Sequence, residues 1–274
     1  MVSPVLIEDP EDTRVAVFRD LKERDLTGRQ GRFVAEGTVV LRMLAEAHRA
    51  GRFEAEAILV LENRLSGVAD ILARFSPDVP VYVATARVID AIAGFNMHRG
   101  VLAIGRRPDT SPDMRALVAA LPDDALVLVG CGISNHDNAG GLFRNAAAFG
   151  VDAIFLDATS CDPLYRKALR VSVGSVLAVP FVREGSILDV LEALDAAGFA
   201  IWGLSPRGTV EIGAVPASRR MALVMGTEGE GLPADVMERF QTARIAQRDS
   251  LDSLNVATAA GIALYRIAQT QGRI

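Results

Sequence analysis

Short apolar runs alternate with amphipathic stretches along almost the whole chain. "FVAEG" (33–37), "AILVLE" (57–62), "VPVYVA" (79–84) and "VLAIGRR" (101–107) read as strands, with helical periodicity over 38–49, 64–74 and 86–93 between them. Further on, "ALVLVG" (125–130), "AIFLD" (153–157), "LAVPFV" (177–182), "AIWGLS" (200–205), "MALVMG" (221–226) and "ARIAQ" (243–247) take the strand role, with helices in the gaps. Strand-like runs alternating with helical ones predict an α/β architecture with largely parallel strands. Prolines and aspartates bracket one short helical sequence in "RRPDTSPDMRALVAALPDD", which predicts a domain over 1–108, a linker over 109–122 and a second domain over 123–274.

Composition narrows the chemistry. Half of the 274 residues are hydrophobic, enough to bury a substantial core. No apolar run approaches the roughly 18 to 20 residues of a membrane-spanning helix. The opening "MVSPVLIEDPEDTR" is acidic where a signal peptide is basic and then apolar, so a cytoplasmic protein without a membrane partner is expected. Two cysteines without a C-x-x-C pair and three histidines argue against a disulfide framework or a zinc site, and no metal is expected. The net charge of −5 does not advertise a nucleic-acid binder. It is unevenly spread: residues 1–110 hold 15 basic and 16 acidic residues, residues 111–274 hold 14 and 18. Arg14, Arg19, Lys22, Arg24, Arg29 and Arg32 concentrate in one strip that can face phosphate.

Three stretches carry candidate chemistry. In "SNHDNAGGLFRNAAAFG" (134–150) a loop rich in Asn and Gly leads into a helix predicted from about Gly140 to Phe149, and the free N–H groups and dipole of such a terminus suit an anion. The stretch is neither a Walker loop nor a dinucleotide G-x-G-x-x-G. "MGTEGEGLP" (225–233) ends a strand and opens a helix. Gly226, Gly229 and Gly231 let its backbone approach a ligand closely, and Glu228 stands between the first two. "DSLDSLNVATAAGIALYRI" (249–267) begins a final helix with Ser253 as its expected cap. Ala257, Ala260, Gly261, Leu264 and Ile267 form a face small enough for close packing, within the subunit or between subunits.

Together, in this order, the three stretches resemble the motifs of the SpoU/TrmH class of SPOUT RNA methyltransferases, which move a methyl group from S-adenosylmethionine to a ribose 2'-hydroxyl. The family's N-x-G-x-x-x-R-x-A is matched by Asn138, Gly140, Arg144 and Ala146, and its G-x-E-G-x-G by Gly226, Glu228, Gly229 and Gly231. Ser253, Leu254, Asn255, Val256 and Ala259 match its S-L-N-V-x-x-A, and "SVGSVLAVPF" (172–181) looks like the S-x-G stretch between the first two motifs. "RFVAEGTVVLRMLAEA" and "NMHRGVLAIGRRP" are similar to the opening and close of the family's ribosomal-protein-like substrate domain. One departure is Ile245-Ala246-Gln247 where the family commonly has Ile-Pro-Met, which predicts a differently shaped cofactor loop.

The resemblance implies a parallel sheet whose C-terminal segment forms a deep trefoil knot, an exception to ordinary topology. It implies S-adenosyl-L-methionine as cofactor, held by Gly226, Ile245 and Leu254 together with Gly231 and Leu204. It implies a homodimer formed through the C-terminal domain, with the small-faced last helix at or near the interface. Arg144, Asn138, Glu228, Ser253 and Asn255 become the catalytic set. An arginine stays protonated at working pH, so Arg144 is read as the cation that holds the neighbouring phosphate and stabilises the forming alkoxide, and the other four position it and the ribose. Glu228 has a second reading as an acceptor of backbone N–H bonds within its loop. His98 with Arg99 is read as an RNA contact or a structural loop residue, and the basic stretch Tyr165, Arg166, Lys167 and Arg170 as part of an RNA track or a solvated helix face. Ribosomal RNA is the expected substrate, with transfer RNA the alternative; the rival from another class is a non-catalytic RNA-binding protein that keeps the fold.

Overall fold

The computed structural model describes residues 4–19, 31–94, 99–227, 229–248 and 252–274. The chain forms two compact units, Met1–Ser111 with Leu164–Ala178, and Pro112–Pro163 with Val179–Ile274. The first contains β1 (Val5–Leu6), β2 (Arg32–Glu36), α1 (Thr38–Arg49), β3 (Glu54–Leu61), α2 (Leu65–Leu72), β4 (Val81–Ala84), α3 (Ala86–Ala93) and β5 (Val101–Arg106). Its sheet runs in the order β1-β4-β3-β5-β2. β1 and β3 lie parallel to β4, while β5 is antiparallel to both β3 and β2. α1 forms because Val40, Leu41, Leu44 and Ala45 recur at helical spacing and are buried together. On one face of the sheet Val34, Leu59, Leu102 and Ile104 pack with Phe18, Ile89 and Ile92.

The chain continues through α4 (Met114–Ala119), β6 (Ala125–Gly130), α5 (His136–Ala148), β7 (Ala153–Leu156), α6 (Arg166–Val171), β8 (Phe181–Arg183) and α7 (Ile187–Ala196). It ends with β9 (Ala200–Leu204), β10 (Val210–Glu211), β11 (Arg220–Met225), α8 (Ala234–Arg239), β12 (Gln241–Arg244) and α9 (Val256–Thr270). The second unit's sheet has the order β10-β12-β9-β11-β6-β7-β8, parallel at every pairing. Its central strands are apolar at consecutive positions because both faces are covered. Val127, Val129, Phe155 and Val224 pack with Leu191 and Leu194 of α7 on one side.

Several expectations shift. The helix expected from about Gly140 starts at His136, since the Asn135 side chain accepts the Asp137 N–H at 2.8 Å and caps it. Gly140 and Gly141 therefore lie inside a helix, and the role of Gly141 is packing: a β-carbon there would come within 2.5 Å of Ala257 Cβ on α9. The strand expected over 177–182 reduces to Phe181–Arg183 behind a 3-10 turn, Ser175–Leu177. Pro180 has no N–H for a sheet ladder; its carbonyl accepts from Ile154 N at 2.9 Å.

The division of the chain also differs. Of the stretch expected as a linker, residues from Pro112 onward belong to the second unit. There α4 packs on α7, and the Met114 N–H donates to Glu184 Oε1 at 2.6 Å. Residues 164–178, assigned by sequence to the second domain, belong to the first unit. Their turn uses a left-handed Val173 (φ 49°) and Gly174 (φ 83°); a β-carbon on Gly174 would meet Met43 Cγ at 2.7 Å. In the basic strip, the described arginines serve internal ion pairs: Arg14 with Asp12 at 2.5 Å, Arg19 with Glu11 at 2.5 Å and Arg32 with Glu56 at 2.7 Å. Lys22, Arg24 and Arg29 lie outside the described residues.

Gly141→Val drives a branched side chain into Ala257 and is expected to cost about 1–3 kcal/mol. That corresponds to a melting temperature lower by roughly 5 °C. Differential scanning calorimetry against Ala147→Val, at an exposed position of the same helix, checks it, the control staying within about 0.5 kcal/mol.

Candidate functional site

The carboxyl ends of β9, β11 and β12 point the same way because the strands are parallel, which is where open α/β sheets bind ligands. Three loops leave those ends and enclose a cavity of about 480 Å³. β9 ends at Leu204, and Ser205 follows it. Ser205 is buried, its N–H donates to the Ala243 carbonyl at 2.9 Å, and its Oγ accepts the Arg207 N–H at 3.2 Å.

The loop after β11 folds back on itself. Thr227 and Gly231 exchange N–H···O bonds of 3.2 Å, and Gly229 and Gly231 adopt φ of 93° and 78°, conformations that cost glycine little. The return brings the Gly231–Leu232 backbone against Gly226 so closely that a β-carbon on Gly226 would overlap the Gly231 carbonyl. The third loop contributes Ile245, Gln247, Asp252, Ser253 and Leu254, and α9 closes the cavity with Val256 and Ala259. Thus Leu204, Gly226, Gly231, Ile245, Leu254 and Ser253, scattered over fifty residues of sequence, line one space. Glu228 lies outside the described residues, as does His98; the neighbours of Glu228, Thr227 and Gly229, line the cavity.

Beside it, the first and third motifs are joined directly. The cap of α9 is Asn255, not Ser253: its Oδ1 accepts the N–H groups of Ala257 at 3.0 Å and Thr258 at 3.2 Å. Because that oxygen faces the helix terminus, the Asn255 Nδ2 faces the other way and donates to Oδ1 of the buried Asn138 at 2.8 Å. A second tie is Asn145 Nδ2 donating to the Ala257 carbonyl at 2.6 Å, a residue that sequence reasoning passed over. The small face of α9 meets α5 of the same chain through Ala257 and through Gly261, whose missing β-carbon leaves room for Asn145. Arg144 projects from α5 into solvent and makes no hydrogen bond or ion pair among the described residues, so its guanidinium is available to an incoming anion.

The loop before α5 rests on a buried carboxylate. Asp157 accepts from Gly132 N at 3.0 and 3.1 Å, Thr159 Oγ1 at 2.8 Å and Ser160 Oγ at 2.7 Å. Burial first, and then the charges of Asp157 and Asp235, push the Cys131 thiol up to about 12. Sequence reasoning missed Ser205, Thr227, Asp252 and Asp157. The signal for the first two was their place at or just past the carboxyl end of a predicted strand.

Residues 125–265 match the SpoU rRNA methylase family, and the chain belongs to that family. Over 268 residues it is 38% identical to an uncharacterised tRNA/rRNA methyltransferase of Mycobacterium tuberculosis, covering 94% of this chain and 89% of the relative. It is 28% identical over 194 residues to the 23S rRNA (guanosine-2'-O-)-methyltransferase RlmB of Bordetella pertussis, covering 70% of this chain and 79% of that one. The crystal structure of an RNA 2'-O ribose methyltransferase superposes with a TM-score of 0.77 at 26% identity, covering 97% of this chain and 99% of the other. The chain is accordingly an RNA methyltransferase, and its cofactor is S-adenosyl-L-methionine.

Two measurements test the geometry. In a double-mutant cycle on Asn138→Ala and Asn255→Ala, each single variant is expected to lose about 1 kcal/mol or more, with a coupling of about 0.5–1.5 kcal/mol from the shared hydrogen bond. For Cys131, the unfolded chain ionises near 9.0 while the folded thiol holds its proton to about 12. Its contribution is therefore complete below the unfolded value and lost as pH rises through the folded one. Urea midpoints are expected to fall between pH 8 and 11, and to fall less in Cys131→Ala.

Proposed function

We propose that this chain methylates a ribose 2'-hydroxyl in structured RNA, ribosomal RNA first, with transfer RNA as the alternative. The observation that carries the reading is the Asn138–Asn255 hydrogen bond, which ties α5, the helix that also carries the exposed Arg144, to the chain between Leu254 and Val256, two residues lining the three-loop cavity. The residues present fit S-adenosyl-L-methionine: the volume lies within the usual range for small-ligand sites, Gly226 leaves a cradle that a β-carbon would fill, and Glu230 and Asp252 bring carboxylates to the lining, suited to a cationic ligand. When bound, that cofactor supplies an activated methyl group on sulfonium sulfur, so the chain's own task is alignment and charge control.

In this reading Leu204, Gly226, Gly231, Ile245 and Leu254 hold the cofactor. Asn138, Asn255, Ser253 and Glu228 position the ribose and Arg144. A guanidinium keeps its proton at working pH. Arg144 therefore grips the phosphate next to the reacting ribose and stabilises the alkoxide as it forms, while the exposed setting leaves water to carry the 2'-hydroxyl proton away.

The finer architecture belongs to the same proposal. β12 lies outside β9 in the sheet while the following α9 returns to pack on α5, as a C-terminal segment threaded into a trefoil knot does. The exposed Ile262 and Tyr265 of α9 are offered as part of a homodimer contact. We assign the first unit to substrate RNA, the second unit to methyl transfer, and the protein to the cytoplasm, where such RNA is found.

Calorimetric titration with S-adenosyl-L-methionine is expected to saturate for the wild type and fail for Gly226→Trp. Arg144→Ala is expected to keep the cofactor affinity within about threefold and lose about 10²–10³ in methyl transfer to ribosomal RNA. Mapping 2'-O-methylation on total ribosomal and transfer RNA identifies the substrate. Absence of cofactor binding with and without RNA would move the assignment to the non-catalytic RNA binder.

A further inference from the structure

The cavity at the ends of β9, β11 and β12 is lined by charges of both signs. Arg207 comes from the first loop, Glu230 from the second and Asp252 from the third. Among the described residues of that lining, Arg207 is the one cation. Its side chain makes no hydrogen bond or ion pair among the described residues, with Glu230 and Asp252 included.

The backbone beneath Arg207 is held firmly. Ser205 Oγ accepts the Arg207 N–H at 3.2 Å and the Ser205 carbonyl accepts the Gly208 N–H at 2.9 Å, which closes a tight turn. Gly208 lies flush on β12: a β-carbon there would come within 2.3 Å of the Ala243 carbonyl. The Thr209 N–H continues the seam by donating to Thr242 Oγ1 at 3.2 Å. The nearby Arg244 is occupied in the same seam, donating to the Gly208 carbonyl at 2.9 Å and pairing with Glu211 at 3.6 Å. Arg207 is thus fixed at its backbone, and its guanidinium is left to meet what enters the cavity.

S-adenosyl-L-methionine carries two positive centres, a sulfonium and an ammonium, and one negative centre, its carboxylate. Glu230 and Asp252 suit the positive centres and repel a carboxylate. Arg207 is the lining group that can accept it, because a guanidinium stays charged and its planar fork of N–H donors matches two carboxylate oxygens. We propose that Arg207 binds the carboxylate of the cofactor's amino-acid tail and makes the site select ligands that carry it. The contact rests on the reading of this cavity as the cofactor site.

The test is calorimetric titration of the full chain with S-adenosyl-L-methionine and with its decarboxylated form, which keeps the sulfonium and the ammonium. The wild type is expected to bind the carboxylated ligand about three to ten times more tightly. In Arg207→Met, which keeps an apolar stem without the charge, that preference is expected to vanish. Affinity for S-adenosyl-L-methionine falls by the same factor, and affinity for the decarboxylated ligand does not fall, which shows that the variant is folded. Arg207→Lys is expected to keep part of the preference. Equal wild-type affinity for the two ligands, or a preference that survives Arg207→Met, overturns the contact and leaves the cavity reading standing. Fluorescence anisotropy with ribosomal RNA fragments covers the other anion: weaker RNA binding by Arg207→Met with its ligand preference intact overturns the contact in favour of an RNA phosphate. No binding of either ligand by the wild type, with or without ribosomal RNA, overturns the cavity reading and the contact with it.

Discussion

The second unit depends on how closely α5 and α9 approach. Helices carrying ordinary side chains pack with their axes some 8–10 Å apart. Here Gly141 faces Ala257 and Gly261 faces Asn145, so each helix sets a glycine against a short side chain of the other, and a short amide can bridge the two. That proximity lets Asn255 serve two partners at once, its oxygen on the α9 terminus and its nitrogen on Asn138. Were the helices further apart, Asn138 would be a buried amide without its partner, a cost of about 1–3 kcal/mol. The loop between β12 and α9 would also lose its fixed end.

From that contact the cavity follows. β9, β11 and β12 supply three loops at one edge, but loops alone are soft. Each is tied at a defined point: the first at Ser205 to Ala243, the second across Thr227 and Gly231, the third at Asn255. The walls thus combine a glycine-lined backbone floor at Gly226, Gly229 and Gly231 with apolar side chains such as Leu204, Ile245 and Leu254. Such a site recognises shape as well as the charge that Glu230 and Asp252 face, and a single β-carbon at Gly226 has nowhere to go.

How far this was legible in the sequence depended on the kind of signal. Strands such as 125–130 and 221–225 could be read because burial on both faces leaves an unbroken apolar run. The residues around the cavity could be read only through the resemblance, since Leu204, Gly226 and Ile245 have nothing in common in periodicity. Local chemistry misled twice. The Asn-Gly run before Arg144 looked like loop, although Asn135 caps a helix there and Gly141 serves packing. Ser253 looked like the cap of the last helix, and Asn255, two residues on, holds that place because its amide can also reach Asn138. Pairings between distant positions, such as Glu36 with Arg166, leave no local trace, because complementary charges on separate elements have no characteristic spacing.

The return of residues 164–178 to the first unit bears on inheritance. A protein whose parts each occupy one uninterrupted stretch can gain or lose a part by a single joining event at the boundary between them. Here a cut near residue 111 would separate Glu36 from Arg166 and leave α1 without the turn that Gly174 lays against Met43. Either half exchanged alone would carry an unmet charge or a bare apolar face into its new setting. The first unit therefore cannot be lifted out by one cut, and a change in β2 or α1 that alters the grip on α6 acts on a segment encoded well beyond residue 111.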